Sequence, residues 1–242
     1  MNSNKHSLVA DYKVLLRNVP AMVTVIYCVS VIVMNLAASK VIFQIGDVAG
    51  TGGVLLSWVP FLCMDTVTKR FGAKAAIMLN FLAAAIDLVV VGFFSIVVAI
   101  PGNGQDYTAF NTTLGSVWFI LLGSMTAFII SGVVNSLLNS GVGKIFKKNP
   151  DGKLAFFTRS YISTFIGQFI DNFLFMFIVY FIFAPMYWGF GMTIATCIGT
   201  GIGGALLELI TEAIFSPAGY VLTKKWEKEG VGTEYLSYMS AN

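Results

Sequence analysis

Six long apolar runs dominate the sequence, and they decide what the chain can become. A helix needs roughly 20 apolar residues to cross the hydrocarbon core of a bilayer. Runs at about 19–38, 53–68, 75–100, 114–142, 160–184 and 191–216 meet or approach that length, with short connections between them. Composition agrees: 57% of the residues are hydrophobic and 11% charged, whereas a soluble domain carries about 25% charged residues. The expected fold class is an all-α membrane protein of six transmembrane helices. One transmembrane domain over 19–222 is expected, with polar tails at 1–18 and 223–242.

The basic residues set the orientation. Lys5, Lys13 and Arg17 lie in the N-terminal tail. Lys69, Arg70 and Lys74 follow the second run, Lys144 to Arg159 follow the fourth, and Lys224, Lys225 and Lys228 follow the sixth. In a six-span arrangement all of the 15 basic residues except Lys40 fall on one side. Basic loops stay in the cytoplasm, so both termini are expected there. The first 18 residues are largely polar and the run after them is too long for a signal h-region, so no cleaved leader is expected.

Several chemistries drop out early. The single histidine, His6, lies in the polar tail, which removes Ser-His-Asp and HExxH arrangements. Cys28, Cys63 and Cys197 are scattered in apolar runs without CxxC spacing, so neither a disulfide framework nor a metal site is expected. No GxxxxGK[ST] loop is present, so ATP could drive this chain only through another subunit. No cofactor and no nucleic-acid partner are expected.

The ionisable residues inside the runs are all acidic: Asp65, Asp87, Asp171, Glu208 and Glu212. Such groups are costly in lipid and usually face a cavity or a partner. Thr164, Gln168 and Asp171 share one face of the fifth run by their i, i+4, i+7 spacing. Ser131, Asn135 and Asn139 make a polar stripe in the fourth. Trp58, Phe61 and Asp65 fall at i, i+3, i+7 in the second, so that a flat heterocycle could stack on a ring beside a carboxylate. Asn35 is the strongly polar residue inside the first run. Helix-to-helix hydrogen bonding is the alternative for Gln168 and the asparagines, and pairing with Lys69 is the alternative for Asp65. Gly199 and Gly203 form a GxxxG pair, expected to serve close helix packing. Asp65, Asp87 and Glu212 are candidates for proton coupling.

Two stretches carry a family resemblance. The second run and its exit read Pro60-Phe-Leu-Cys-Met-Asp65-Thr-Val-Thr-Lys-Arg-Phe-Gly72. The fifth reads Ser160-Tyr-Ile-Ser-Thr164-Phe-Ile-Gly167-Gln-Phe-Ile-Asp171-Asn-Phe-Leu-Phe175. With Asn35, Ser39-Lys40 and a Pro217 that closes the sixth helix, the chain resembles the vitamin uptake transporter family from Asn35 to Tyr220. The best-understood members of that family import 7-deazaguanine precursors of queuosine. The family is also distantly similar to the six-helix substrate-binding subunits of ECF-type importers. The resemblance implies a multi-pass protein of a bacterial or archaeal inner membrane, with Asp65 and Asp171 as its signature aspartates. Two departures stand out: Lys69 takes a place where members commonly have Glu, and Leu207, Glu208 and Glu212 stand where some members carry Lys.

The expected function is import of a deazapurine base, without enzymatic activity. Asp171 or Glu208 would accept the base edge, with Gln168 and Asn135 completing it. The alternative is a substrate-binding subunit that docks on an ATPase partner; an intramembrane enzyme is a third, weaker reading. The lipid bilayer is the other partner, and the GxxxG pair could serve a homodimer.

Overall fold

The computed structural model describes the backbone of residues 7–145 and 153–241, and their side chains except at 65, 133, 135–145, 153–164, 212 and 216. The elements in chain order are α1 (Leu8–Asn18), α2 (Ala21–Ala37), β1 (Val41–Ile45), β2 (Val48–Thr51), α3 (Trp58–Phe71), α4 (Ala73–Ala99), α5 (Thr108–Gly115), α6 (Val117–Ile145), α7 (Lys153–Met176), α8 (Ala184–Tyr187), α9 (Ile194–Lys228) and α10 (Thr233–Ser240). A wide π-helical stretch, Phe177–Phe183, joins α7 to α8.

Among the described residues four helical stretches are long and apolar enough to span a bilayer: Ala73–Ala99, Thr108–Gly132, Phe165–Tyr187 and Ile194–Phe215. Counting α1 and α2 as one bent span makes five, with a bend of 109° between them. The second expected span folds as α3, 14 residues long. Only 17% of the apolar stretch of α4 is buried. Its Leu88, Val89, Phe93 and Ile96 all face outward. Apolar faces of that extent require lipid around them, and the chain is a multi-pass membrane protein.

The bend at Pro20 has a local cause. Ser7 caps α1, its hydroxyl accepting the Ala10 N–H at 3.2 Å. Val19 is extended, at φ −73° and ψ 132°, as the residue before a proline prefers. Pro20 then opens α2, its carbonyl accepting the Val23 N–H. The polar tail at 1–18 therefore contains a helix that the apolar pattern did not announce.

The chain divides into two compact units. The first comprises Met1–Met34, Val54–Val90 and Thr211–Asn242. Its core gathers Leu15, Val67, Phe71, Leu79, Trp226 and Tyr235. At its polar end Asp11, 5% exposed, lies 2.7 Å from Lys74 Nζ and accepts the Tyr238 hydroxyl at 3.0 Å. Arg17 pairs with Glu234, and Arg70 Nε donates to the Val231 carbonyl at 2.7 Å. α10 is thus tied to α1 and to the α3–α4 junction. Gly232 makes the return possible: its φ is +80°, and a Cβ there would meet the Phe71 ring at 2.3 Å.

The second unit comprises Asn35–Gly53 and Val91–Ile210. Phe119, Ile120, Met176, Val179, Tyr180 and Cys197 form its main core. It also holds the β-hairpin, which was not expected. Ile45 pairs with Val48 across a two-residue turn, and Gly46 takes the positive φ of +57° that such turns need. A lone two-stranded hairpin is marginal at best, and this one is anchored. Ala49 N–H donates to Thr200 Oγ1 at 2.8 Å, and Tyr180 OH donates to the Ala38 carbonyl at the hairpin's root.

Two expectations change in α9. Pro217 does not close the helix, which runs on to Lys228. A proline removes one backbone hydrogen bond, but transmembrane helices tolerate that loss, and the Thr223 hydroxyl downstream bonds back to the Gly219 carbonyl at 3.0 Å. The GxxxG pair meets the hairpin: a Cβ at Gly199 would stand 2.1 Å from the Asp47 carbonyl oxygen, and one at Gly203 would stand 3.0 Å from Val48 Cγ1.

Candidate functional site

The second unit brings three helices together around two carboxylates. On α7, Asp171 Oδ1 lies 2.9 Å from the Ser131 hydroxyl of α6. That hydroxyl also lies 3.1 Å from the Phe128 carbonyl. It has one hydrogen to give, so it bonds the carboxylate or its own helix. On the next residue, the Asn172 amide donates to the Gln168 carbonyl at 2.9 Å and to Glu208 Oε1 of α9 at 3.2 Å. Both of its hydrogens are therefore used.

Small residues in α9 allow this approach. A Cβ at Gly204 would stand 2.7 Å from Asn172 Cγ, and one at Gly201 would stand 3.1 Å from the Phe169 ring. These are the α7-facing glycines of α9, whereas Gly199 and Gly203 face the hairpin. Glu208 Oε2 is fully enclosed and has no hydrogen-bond partner among the described residues. Asp171 is the charged group that acts on Glu208. Among the described residues neither carboxylate has a basic partner.

The other expected residues divide between the units. Asn35 is 3% exposed and belongs to the second unit. Trp58, Phe61 and Asp87 belong to the first. Trp58 stacks on Phe215, ring centroids 4.5 Å apart at 13°, so one of its faces is taken. Phe61 is 39% exposed and Asp87 1% exposed. In the same unit Asn80 accepts the Tyr27 hydroxyl at 2.7 Å. The side chains of Asp65, Asn135 and Glu212 lie outside the described residues. Ser131 and Asn172 are the site residues that sequence reasoning had left in the background. The polar stripe through Ser131 and Asn135 was the signal for the first, and the position beside Asp171 for the second.

The arrangement offers chemistry of one kind. Buried acceptors without a cation suit a ligand rich in N–H donors or positive charge. Among the described residues no group of three or more His, Cys, Asp or Glu is placed to hold a metal. Residues 51–222 match the model of a protein family described as "Putative vitamin uptake transporter". No curated protein and no solved structure matches the chain.

Proposed function

Since the chain belongs to the vitamin uptake transporter family, we propose that it imports a 7-deazaguanine precursor of queuosine across a bacterial or archaeal inner membrane. Membership of the family makes this a membrane transporter rather than an enzyme; the substrate is our own reading. The observation that carries it is the Asp171 site, a carboxylate inside a helix bundle with hydroxyl and amide neighbours and no basic partner among the described residues. A deazaguanine edge presents N1–H and a 2-amino group side by side. One carboxylate can accept both in the bidentate manner.

Asp171 takes that role in preference to Glu208, whose Oε2 is enclosed. Gln168 and Asn135 complete the edge, and Phe169 supplies a ring face. The six-span topology with cytoplasmic termini goes with this reading. It is supported by the way α1, the α3–α4 junction and α10 meet through Asp11, Lys74, Arg70 and Arg17.

The test is a rescue assay. The protein is expressed in a bacterium that can neither make nor import queuosine precursors, each base is supplied at low concentration, and queuosine is measured in tRNA. Restored queuosine is expected from this chain alone. Restoration only with a co-expressed ATPase would make it a subunit of an ATP-driven importer. No restoration, with the protein present in the membrane, would refute the substrate.

A further inference from the structure

The enclosed oxygen of Glu208 is left unused by base recognition. Glu208 Oε1 takes the Asn172 amide at 3.2 Å, while Oε2 is buried with no hydrogen-bond partner among the described residues. Among the described residues the groups that face it are few: Asp171 and Asn172 come from α7, and behind Asp171 stands Ser131 of α6. Glu212 lies one turn further along α9. Two carboxylates so placed in a membrane interior are costly without a compensating positive charge.

Three kinds of positive charge could supply it. A heterocycle cannot reach an enclosed oxygen. A metal cation needs several oxygen ligands pointing at it, yet Asn172 turns an N–H, not an oxygen, towards Glu208. A proton needs one free oxygen and no space, and it leaves a neutral hydroxyl, far cheaper to bury than a charge.

We propose that Glu208 is the coupling residue of import, binding one proton with each substrate molecule and releasing it on the cytoplasmic side. This rests on the reading of the chain as an importer. The step is an acid–base exchange alone: an O–H bond forms at Oε2 when the carboxylate takes a proton from the outer solution, and the same bond breaks on release. With Glu208 neutral, Asp171 is left as the one charge of the pair and meets the N–H donors of the base. With Glu208 ionised, a second negative charge has to be accommodated beside it. The loaded site therefore carries its proton with it, since a second buried negative charge would otherwise have to be held through transport. Asp65, Asp87 and Glu212, the coupling candidates of the sequence, are not needed for this role.

The experiment uses the full chain in proteoliposomes with a radiolabelled 7-deazaguanine base. Two quantities are read: exchange of base at equal pH, and accumulation driven by a more acidic exterior. With one proton per uncharged base, a gradient of about one pH unit supports about tenfold accumulation. The wild type is expected to show it and to lose it on addition of a protonophore. Glu208→Gln, which mimics the neutral acid, is expected to retain exchange and to stop at equal concentrations. Glu208→Asp, which restores the carboxyl group, is expected to regain gradient-driven accumulation. Accumulation by Glu208→Gln as high as wild type would overturn the proposal, as would wild-type accumulation driven by sodium and indifferent to pH. Absence of both exchange and accumulation in the wild type would instead refute the importer reading itself.

Discussion

Replacing Gly199 with alanine is expected to lift the hairpin from α9. The added Cβ would stand 2.1 Å from the Asp47 carbonyl oxygen and 2.8 Å from its carbonyl carbon. Ordinary contact begins at 3.4 Å, so the turn must retreat by about 1.3 Å, and backbone atoms cannot rotate aside. That retreat takes the Ala49 N–H out of reach of Thr200 Oγ1, now 2.8 Å away. A buried amide left unpaired costs about 1–3 kcal/mol. Overpacking adds about 1–3 kcal/mol, and the better helix propensity of alanine returns about 1 kcal/mol. The net is about 1–5 kcal/mol, or roughly 2–20 °C in melting temperature for a chain of this size. Gly203→Ala is the control. Its Cβ would meet Val48 Cγ1 at 3.0 Å, a side-chain atom that can give way, so its effect is expected within about 1 kcal/mol. Tryptophan fluorescence melting in detergent reads both. Equal and small shifts in the two variants would refute the hairpin contact. Equal and large shifts would return the pair to helix-to-helix packing.

Two further outcomes concern the polar end of the first unit. Lys74→Met removes the cation from Asp11, whose side chain is 7% exposed, and is expected to cost about 1–2 kcal/mol after allowance for the exposed lysine. Lys224→Met breaks an exposed pair with Glu227 and is expected to leave the melting temperature unchanged; a reversed order would contradict the Asp11 tie. Tyr238 should also make the docking of α10 alkali-sensitive. Desolvation first, and then its bond to Asp11 and that residue's charge, hold the phenol above its ordinary value of 10.0. A raised folded-state value means that the contribution is full below pH 10.0 and is lost as pH rises through the higher folded value. Proteolysis of the C-terminal segment is expected to increase there in the wild type, and Tyr238→Phe should weaken that pH dependence, leaving the part due to Tyr235, whose phenol burial and the Asp11 charge also hold up; an unchanged profile would refute the contact.

The spanning segments were legible because apolar length alone marks them. The hairpin was not, because Val41–Thr51 joins apolar segments and lacks a polar face. Val48, Ala49 and Gly50 turn to protein while Ile42, Phe43 and Ile45 lie exposed, so no apolar–polar alternation appears. The signal that existed was Gly46-Asp47 between β-branched and aromatic residues. α1 was hidden in a polar tail, although Ser7 and Pro20 mark its ends. Asp171 stood out by its cost in lipid. Its meeting with Ser131, and that of Asn172 with Glu208, could not be read, because position along a helix does not fix which neighbour it turns towards. For the same reason GxxxG foretold a close approach at Gly199 and Gly203 but not that a β-turn makes it.

The most direct test of the account is equilibrium binding of a labelled 7-deazaguanine base to the purified full-length protein, wild type beside Asp171→Asn. Asparagine keeps the size of the side chain but replaces one acceptor oxygen with a donor, which breaks a bidentate pairing. Loss of a charge-assisted bond of about 1.5–3 kcal/mol lowers affinity about 10- to 150-fold. Saturable wild-type binding that falls by that factor in the variant, with melting temperature preserved, is the expected result. Equal binding by the two proteins would contradict the assignment of Asp171, and no binding by the wild type would contradict the substrate.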